Sequence, residues 1–172
     1  MDNNELDCAK RESEGASEKH KFQKDFRQTY EEAFRWRFEY YISIMKGLAE
    51  YFGRDVLIDM IQRAVDESHP KSGSDNPGHT FTDYIESGKK AFENMMTWDI
   101  IEESDRAYEI RVTECLWAKT FQERDAADIG YATICYGDFS DARAYHSKLR
   151  LERTQTLMQG HECCNHRWTW EA

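Results

Sequence analysis

Large apolar residues recur every three or four positions through the first third of the chain: Phe22, Phe26, Tyr30, Phe34, Phe38, Tyr41, Met45, Leu48 and Phe52. That period puts them on one face of a long amphipathic helix, a stripe that reads as core. Gly53 follows at the position where a left-handed C-cap sits. Leu57, Ile61 and Val65 predict a second helix from Asp55 to about Ser68. Both prolines fall between His69 and Gly78, which reads as a surface loop. Thr80, three residues before Asp83, fits a helix N-cap, and Phe81, Ile85, Phe92 and Met96 form a third helical stripe.

After Thr97 the period changes. Trp98 and Ile100 suggest a strand, and Tyr108, Ile110 and Val112 alternate with Glu109, Arg111 and Thr113 as in a half-buried antiparallel strand. Two short helices are expected over Leu116 to Arg124 and Ala126 to Tyr136. Leu149, Leu151, Arg153, Gln155 and Leu157 share one face of a further strand, with a turn at Gln159-Gly160. Cys164, His166, Trp168 and Trp170 alternate with Asn165, Arg167 and Thr169 in a last strand. The expected fold is α+β, with N-terminal helices packed on one face of a C-terminal, mostly antiparallel sheet. Residues 1–18, polar and carrying Cys8, read as a disordered tail. Residues 19–172 read as one domain, helical over 19–96 and sheet-containing over 97–172.

Composition narrows the function classes. The chain has 172 residues with a formal net charge of -10. The acidity argues against nucleic acid or an anionic membrane surface as a partner, since both select basic patches. No apolar run reaches the ~20 residues of a membrane span, and the first residues lack the apolar core of a secretory signal. A cytoplasmic protein with reduced thiols is expected, and a homo-oligomer is compatible with this composition. The five cysteines are Cys8, Cys115, Cys135, Cys163 and Cys164.

Three of these, Cys115, Cys135 and Cys164, fall near element ends. Each alone reads as a small core hydrophobe. Asp138 follows Cys135 by three residues, which is one helix face if the helix persists, though Asp138 can equally cap the next segment. Arg153 interrupts an apolar strand face, where a charge is costly unless paired. A buried carboxylate or a ligand's carboxylate would each satisfy it. His166 shares the inner face of the last strand and reads as a hydrogen-bonded core histidine. His161, Cys163, Cys164 and His166 together have the chemistry of zinc ligands but not the usual spacing. In an unbroken strand Cys115 would face away from Val112, so it reaches the core only if the strand ends or bulges before it.

The segments VTECLWAKTF (112–121), ADIGYATICYGD (127–138) and HSKLRLERTQTLMQGHECC (146–164) resemble the L-2-amino-thiazoline-4-carboxylic acid hydrolase family, closely over about 60 residues. The family's pattern falls on Cys115, on Cys135 with Asp138, on Arg153-Thr154-Gln155-Thr156-Leu157, and on Gly160 and Cys164. Asn165 and His166 depart from it where an aspartate and an aromatic residue are usual. His161 replaces an acidic residue, and Cys163 is additional. The resemblance implies a hydrolase opening a small, carboxylate-bearing ring that contains nitrogen and sulfur. It implies Cys115 or Cys135 as nucleophile, or Asp138 as base toward water, within a site that includes Cys164. Arg153 would anchor the substrate carboxylate, with Thr154 and His166 beside it. No cofactor is required; a divalent metal held by the thiols is the rival mechanism. The alternative function is a non-catalytic sensor of small molecules or metals.

Overall fold

The computed structural model describes residues 3–68 and 78–172, with side chains from residue 25 onward. The loop expected between His69 and Gly78 lies, apart from Gly78, outside the described residues. The chain divides into two compact units, Met1–Arg37 and Phe38–Ala172. The first helix, α1, spans Asn3–Phe52. Residues 3–18 lie within it. The segment contains no proline and is rich in Glu, which favours helix. Within the first unit Phe26, Tyr30 and Phe34 follow one another at ring distances of 6.5 and 6.4 Å.

In the second unit α1 ends at Phe52, and Gly53 adopts a left-handed φ of 90°. Helix α2 (Arg54–Ser68) and α3 (Phe81–Phe92) follow, the latter capped by Thr80, whose hydroxyl accepts the Asp83 amide at 3.1 Å. Met96, expected on the third helical stripe, instead opens β1. Burial on α1 also departs from the aromatic stripe. Ile42 and Ala49 are buried, while Phe52 is half exposed.

Strands β1 (Met96–Glu103), β2 (Ala107–Cys115), β3 (Leu149–Glu152) and β4 (Cys164–Trp170) form one antiparallel sheet in the order β1-β2-β4-β3. Between β2 and β3 lie α4 (Leu116–Gln122), α5 (Ala127–Gly130), a π-helical turn (Tyr131–Cys135) and α6 (Gly137–Tyr145). The predicted single helix from Ala126 to Tyr136 is thus an α-turn running into a π-turn. The architecture is α+β, as the change of period at residue 97 implies.

The parity problem at Cys115 is solved by a bulge. Thr97 pairs with Glu114 and Trp98 with Val112, so Thr113 is an extra residue. Thr113 and Glu114 are both exposed, and Cys115 turns inward. The outward side of the sheet is charged, with Arg167 set between Glu102 (2.9 Å) and Glu109 (3.2 Å).

Two apolar clusters form the core. One joins the inner sheet face (Tyr108, Ile110, Val112, Leu149, Cys164) to Phe81 and Ile85 of α3 and Ala142 of α6. The other joins Ile42 of α1 to Ala118, Phe121, Ala126, Ile129 and Met158. Cys115 and Leu157 pack against both. No helix among the described residues is long and apolar enough to cross a membrane.

Gly130 is where the second cluster is tightest. A Cβ there would lie 2.7 Å from both Met158 Sδ and Phe121 Cγ, and both side chains are almost completely buried. Neither can move without displacing its own neighbours. Gly130→Ala should therefore lower stability by about 1–3 kcal/mol, seen as a lower denaturation midpoint at unchanged slope. An unchanged midpoint would mean that this core is looser than its geometry implies.

Candidate functional site

Chain direction alone separates the polar residues, and the turns between elements bring them back together. The strand expected from Leu149 to Leu157 stops at Glu152, so Arg153 stands just past the end of β3. Asn165, on β4, holds that segment. Its Oδ1 accepts the Thr154 and Gln155 amides at 3.0 and 2.7 Å, and its Nδ2 donates to Thr154 Oγ1 at 2.9 Å. Arg153 is thereby directed inward, and its side chain is only 2% exposed.

Three of the five guanidinium N–H donors are committed. Nη1 donates to Asp138 Oδ2 and to His166 Nε2, the latter at 3.1 Å, and Nη2 donates to the Cys135 carbonyl at 2.7 Å. The Phe139 ring lies 4.9 Å from the guanidinium carbon. Of the two sequence readings for Arg153, the geometry is that of the protein carboxylate. Asp138 differs from its partner in being 37% exposed, so this carboxylate is the side of the pair that meets solvent.

The π-turn explains why Cys135 and Asp138 flank the same guanidinium. The Tyr136 amide reaches back to the Tyr131 carbonyl at 2.8 Å, an i to i+5 bond that widens the coil before α6. Cys135 then presents its carbonyl to Arg153 while Asp138, in the first turn of α6, presents its carboxylate.

Cys115, Cys135 and Cys164 lie close enough to influence one another's ionisation. Burial pushes all three thiols upward, Cys164 to about 11. Asp138 raises Cys135 further and Arg153 opposes the rise. At Cys115 the backbone amides of Ala118 and Trp117 oppose it, and at Cys164 the Leu157 amide does so from 3.1 Å. The three are therefore uncharged thiols at neutral pH.

The sequence-predicted residues thus divide. Cys115, Cys135, Asp138, Arg153, Cys164 and His166 come together on the inner side of the sheet. Thr154 does not join them, because its side chain is exposed and bonded to Asn165. The zinc-like set is not gathered either. His161 lies against the Thr156 backbone, Cys163 faces Gln155 and His166 faces Arg153. No group of three or more His, Cys, Asp or Glu side chains among the described residues is placed to hold a metal ion. Asn165 and Phe139 are the residues that sequence reasoning missed. Asn165 stood out only as a departure from the family motif on the polar side of β4, with no role attached, and nothing in the pattern singled out Phe139.

A family model described as L-2-amino-thiazoline-4-carboxylic acid hydrolase matches residues 27–168. The chain belongs to that family. Membership extends through the helical half, well beyond the roughly 60 C-terminal residues where the motifs are legible by eye. No curated protein matches this family member. Among solved structures it is similar to the phenol-responsive sensory domain of the transcription activator PoxR with phenol. That similarity has a TM-score of 0.45 and 13% identity, covering 75% of this chain and 72% of the other.

The raised thiols have a consequence for stability with a defined sign. A thiol whose folded value exceeds its unfolded value of roughly 8.5 stabilises the fold fully below that pH. The contribution is lost as pH climbs toward the folded value, because the unfolded chain then releases protons that the folded one retains. Stability should fall from about pH 8.5 upward, before the tyrosines of the unfolded chain ionise near 10. For Cys164→Ser, urea titrations between pH 8.5 and 10 should give a shallower fall than wild type. An equal slope would show that Cys164 does not resist ionisation.

Proposed function

We propose that this protein hydrolyses a small, carboxylate-bearing ring containing nitrogen and sulfur, of the 2-aminothiazoline-4-carboxylate type. Family membership supports hydrolysis. The observation that carries the mechanism is the partly exposed Asp138 carboxylate, held by the buried Arg153 beside three uncharged thiols. The ring carbon to be attacked lies between two nitrogens and a sulfur. Asp138 removes a proton from a water molecule as the water oxygen bonds to that carbon. The carbon–sulfur bond then breaks, and the departing sulfur takes the proton held by Asp138. The proton left on the added hydroxyl passes to the ring nitrogen as the carbonyl forms, so one water is added and the product is an N-carbamoyl cysteine.

Thiols kept protonated by burial are poor nucleophiles at rest and hold their protons too tightly to serve a leaving thiolate, so the acid–base work falls to Asp138. Arg153 acts here as a positioning residue. It fixes the direction of the Asp138 carboxylate and of the Cys135 backbone, and direct anchoring of the substrate is not its main task. Cys115 and Cys164 complete the apolar wall that excludes bulk water around the ring.

Asp138→Asn keeps the shape of the side chain and removes the base. Turnover of 2-aminothiazoline-4-carboxylate, followed as release of the new thiol, should fall about 10²–10⁴-fold. Thermal unfolding of the variant identifies any loss due to misfolding. Mass spectrometry of the wild-type protein during turnover should show no covalent adduct. An adduct on Cys115 or Cys135 would replace this mechanism with thiolate attack. Binding without turnover by the wild type would make the protein a sensor.

A further inference from the structure

The imidazole of His166 has one nitrogen accounted for and one not. The side chain is 9% exposed, points to the inner face of the sheet opposite Ile110, and stacks on Trp168 at 5.1 Å with the rings nearly parallel. Its Nε2 lies 3.1 Å from Arg153 Nη1. A guanidinium only donates, so Nε2 must accept. At 3.8 Å, Asp138 Oδ2 is too far to take a proton from the same nitrogen. The ring proton therefore sits on Nδ1. That atom is buried and has no hydrogen-bond partner.

A buried N–H without an acceptor is costly, because it has lost its water and gained nothing in return. Here the surroundings enforce the cost. Arg153 fixes the tautomer, and the Trp168 stack fixes the ring plane. Because the two nitrogens diverge across the ring, Nδ1 is turned away from Arg153 Nη1.

We infer that His166 Nδ1–H is a ligand-binding donor, which donates to an oxygen of the substrate's carboxylate group. The inference rests on the proposed function for the identity of the substrate, but the tautomer assignment stands apart from it. Arg153 fixes the proton on Nδ1, so the donor is set before the substrate arrives. His166 thus serves as the anchor that Arg153, with most of its donors committed, does not readily provide. It adds a directed hydrogen bond without adding charge to a group already containing Arg153 and Asp138.

Two substitutions separate this role from a merely structural one. The amide of Gln reaches the Nε2 position, so His166→Gln retains an acceptor for Arg153 and loses the Nδ1 donor. The amide of Asn occupies the Nδ1 position, so His166→Asn retains the donor. Calorimetry with N-carbamoyl-L-cysteine as probe should show Kd weakened about 10- to 100-fold by His166→Gln, and by no more than about threefold by His166→Asn. The reverse order would reduce His166 to a support for Arg153 and overturn the inference, as would failure of the wild type to bind the probe. Nitrogen NMR of the ligand-free wild type provides the second readout. A proton on Nδ1 is expected, and a proton on Nε2 or on both nitrogens would overturn the inference. If the probe binds as described but thiazoline turnover is absent, only the proposed reaction fails.

Discussion

A buried guanidinium must be neutralised and hydrogen-bonded where it lies, and much of the second unit is arranged to do this for Arg153. Its side chain is 2% exposed, and its partners come from three places in the chain: Asp138 on α6, the Cys135 carbonyl at the end of the π-turn, and His166 on β4. Moving such a group out of water costs several kcal/mol, which is offset only when the geometry is good and the remaining donors are used. Asp138, at 37% exposed, keeps contact with solvent. The pair therefore has a dry half and a wet half, and chemistry on a dissolved substrate belongs at the wet half.

Two local irregularities make this arrangement possible, and both sit next to the cysteines. The bulge at Thr113 reverses the parity of the end of β2 and brings Cys115 to the junction of the two core clusters. The π-turn over Tyr131–Cys135 sets Cys135 and Asp138 around one guanidinium. A regular strand and a regular helix would have left Cys115 facing outward and Cys135 placed differently. Bulges and π-turns are both over-represented beside functional sites.

The sequence carried the fold further than the site. Period-two alternation located β2 and β4 and placed Cys164 and His166 on the inner face, because one sheet face is apolar and the other charged. Apolar spacing located α2 and α3 for the same reason. It did not locate the end of β3, because Leu157 continues the alternation after the strand has stopped and Asn165 has taken over the backbone amides. Arg153 is nevertheless buried, since the costly charge on an apolar face was the right signal even though the strand assignment was too long. Thr154 was grouped with Arg153 by motif alone, and its outward side chain follows from the Asn165 clamp. The proximity of the three thiols depends on a bulge and a π-turn, and neither leaves a period in the sequence.

The central claim is that Asp138 is what makes the burial of Arg153 tolerable, and a double-mutant cycle on stability tests it directly. Arg153→Met, Asp138→Asn and the double variant would be unfolded in urea alongside the wild type at neutral pH. A coupling of about 2 kcal/mol is expected, within the range for residues in one ion-pair network. The double variant should be more stable than the sum of the single losses implies, because neither a cation nor a carboxylate is then left unpaired. A coupling near zero would contradict the claim.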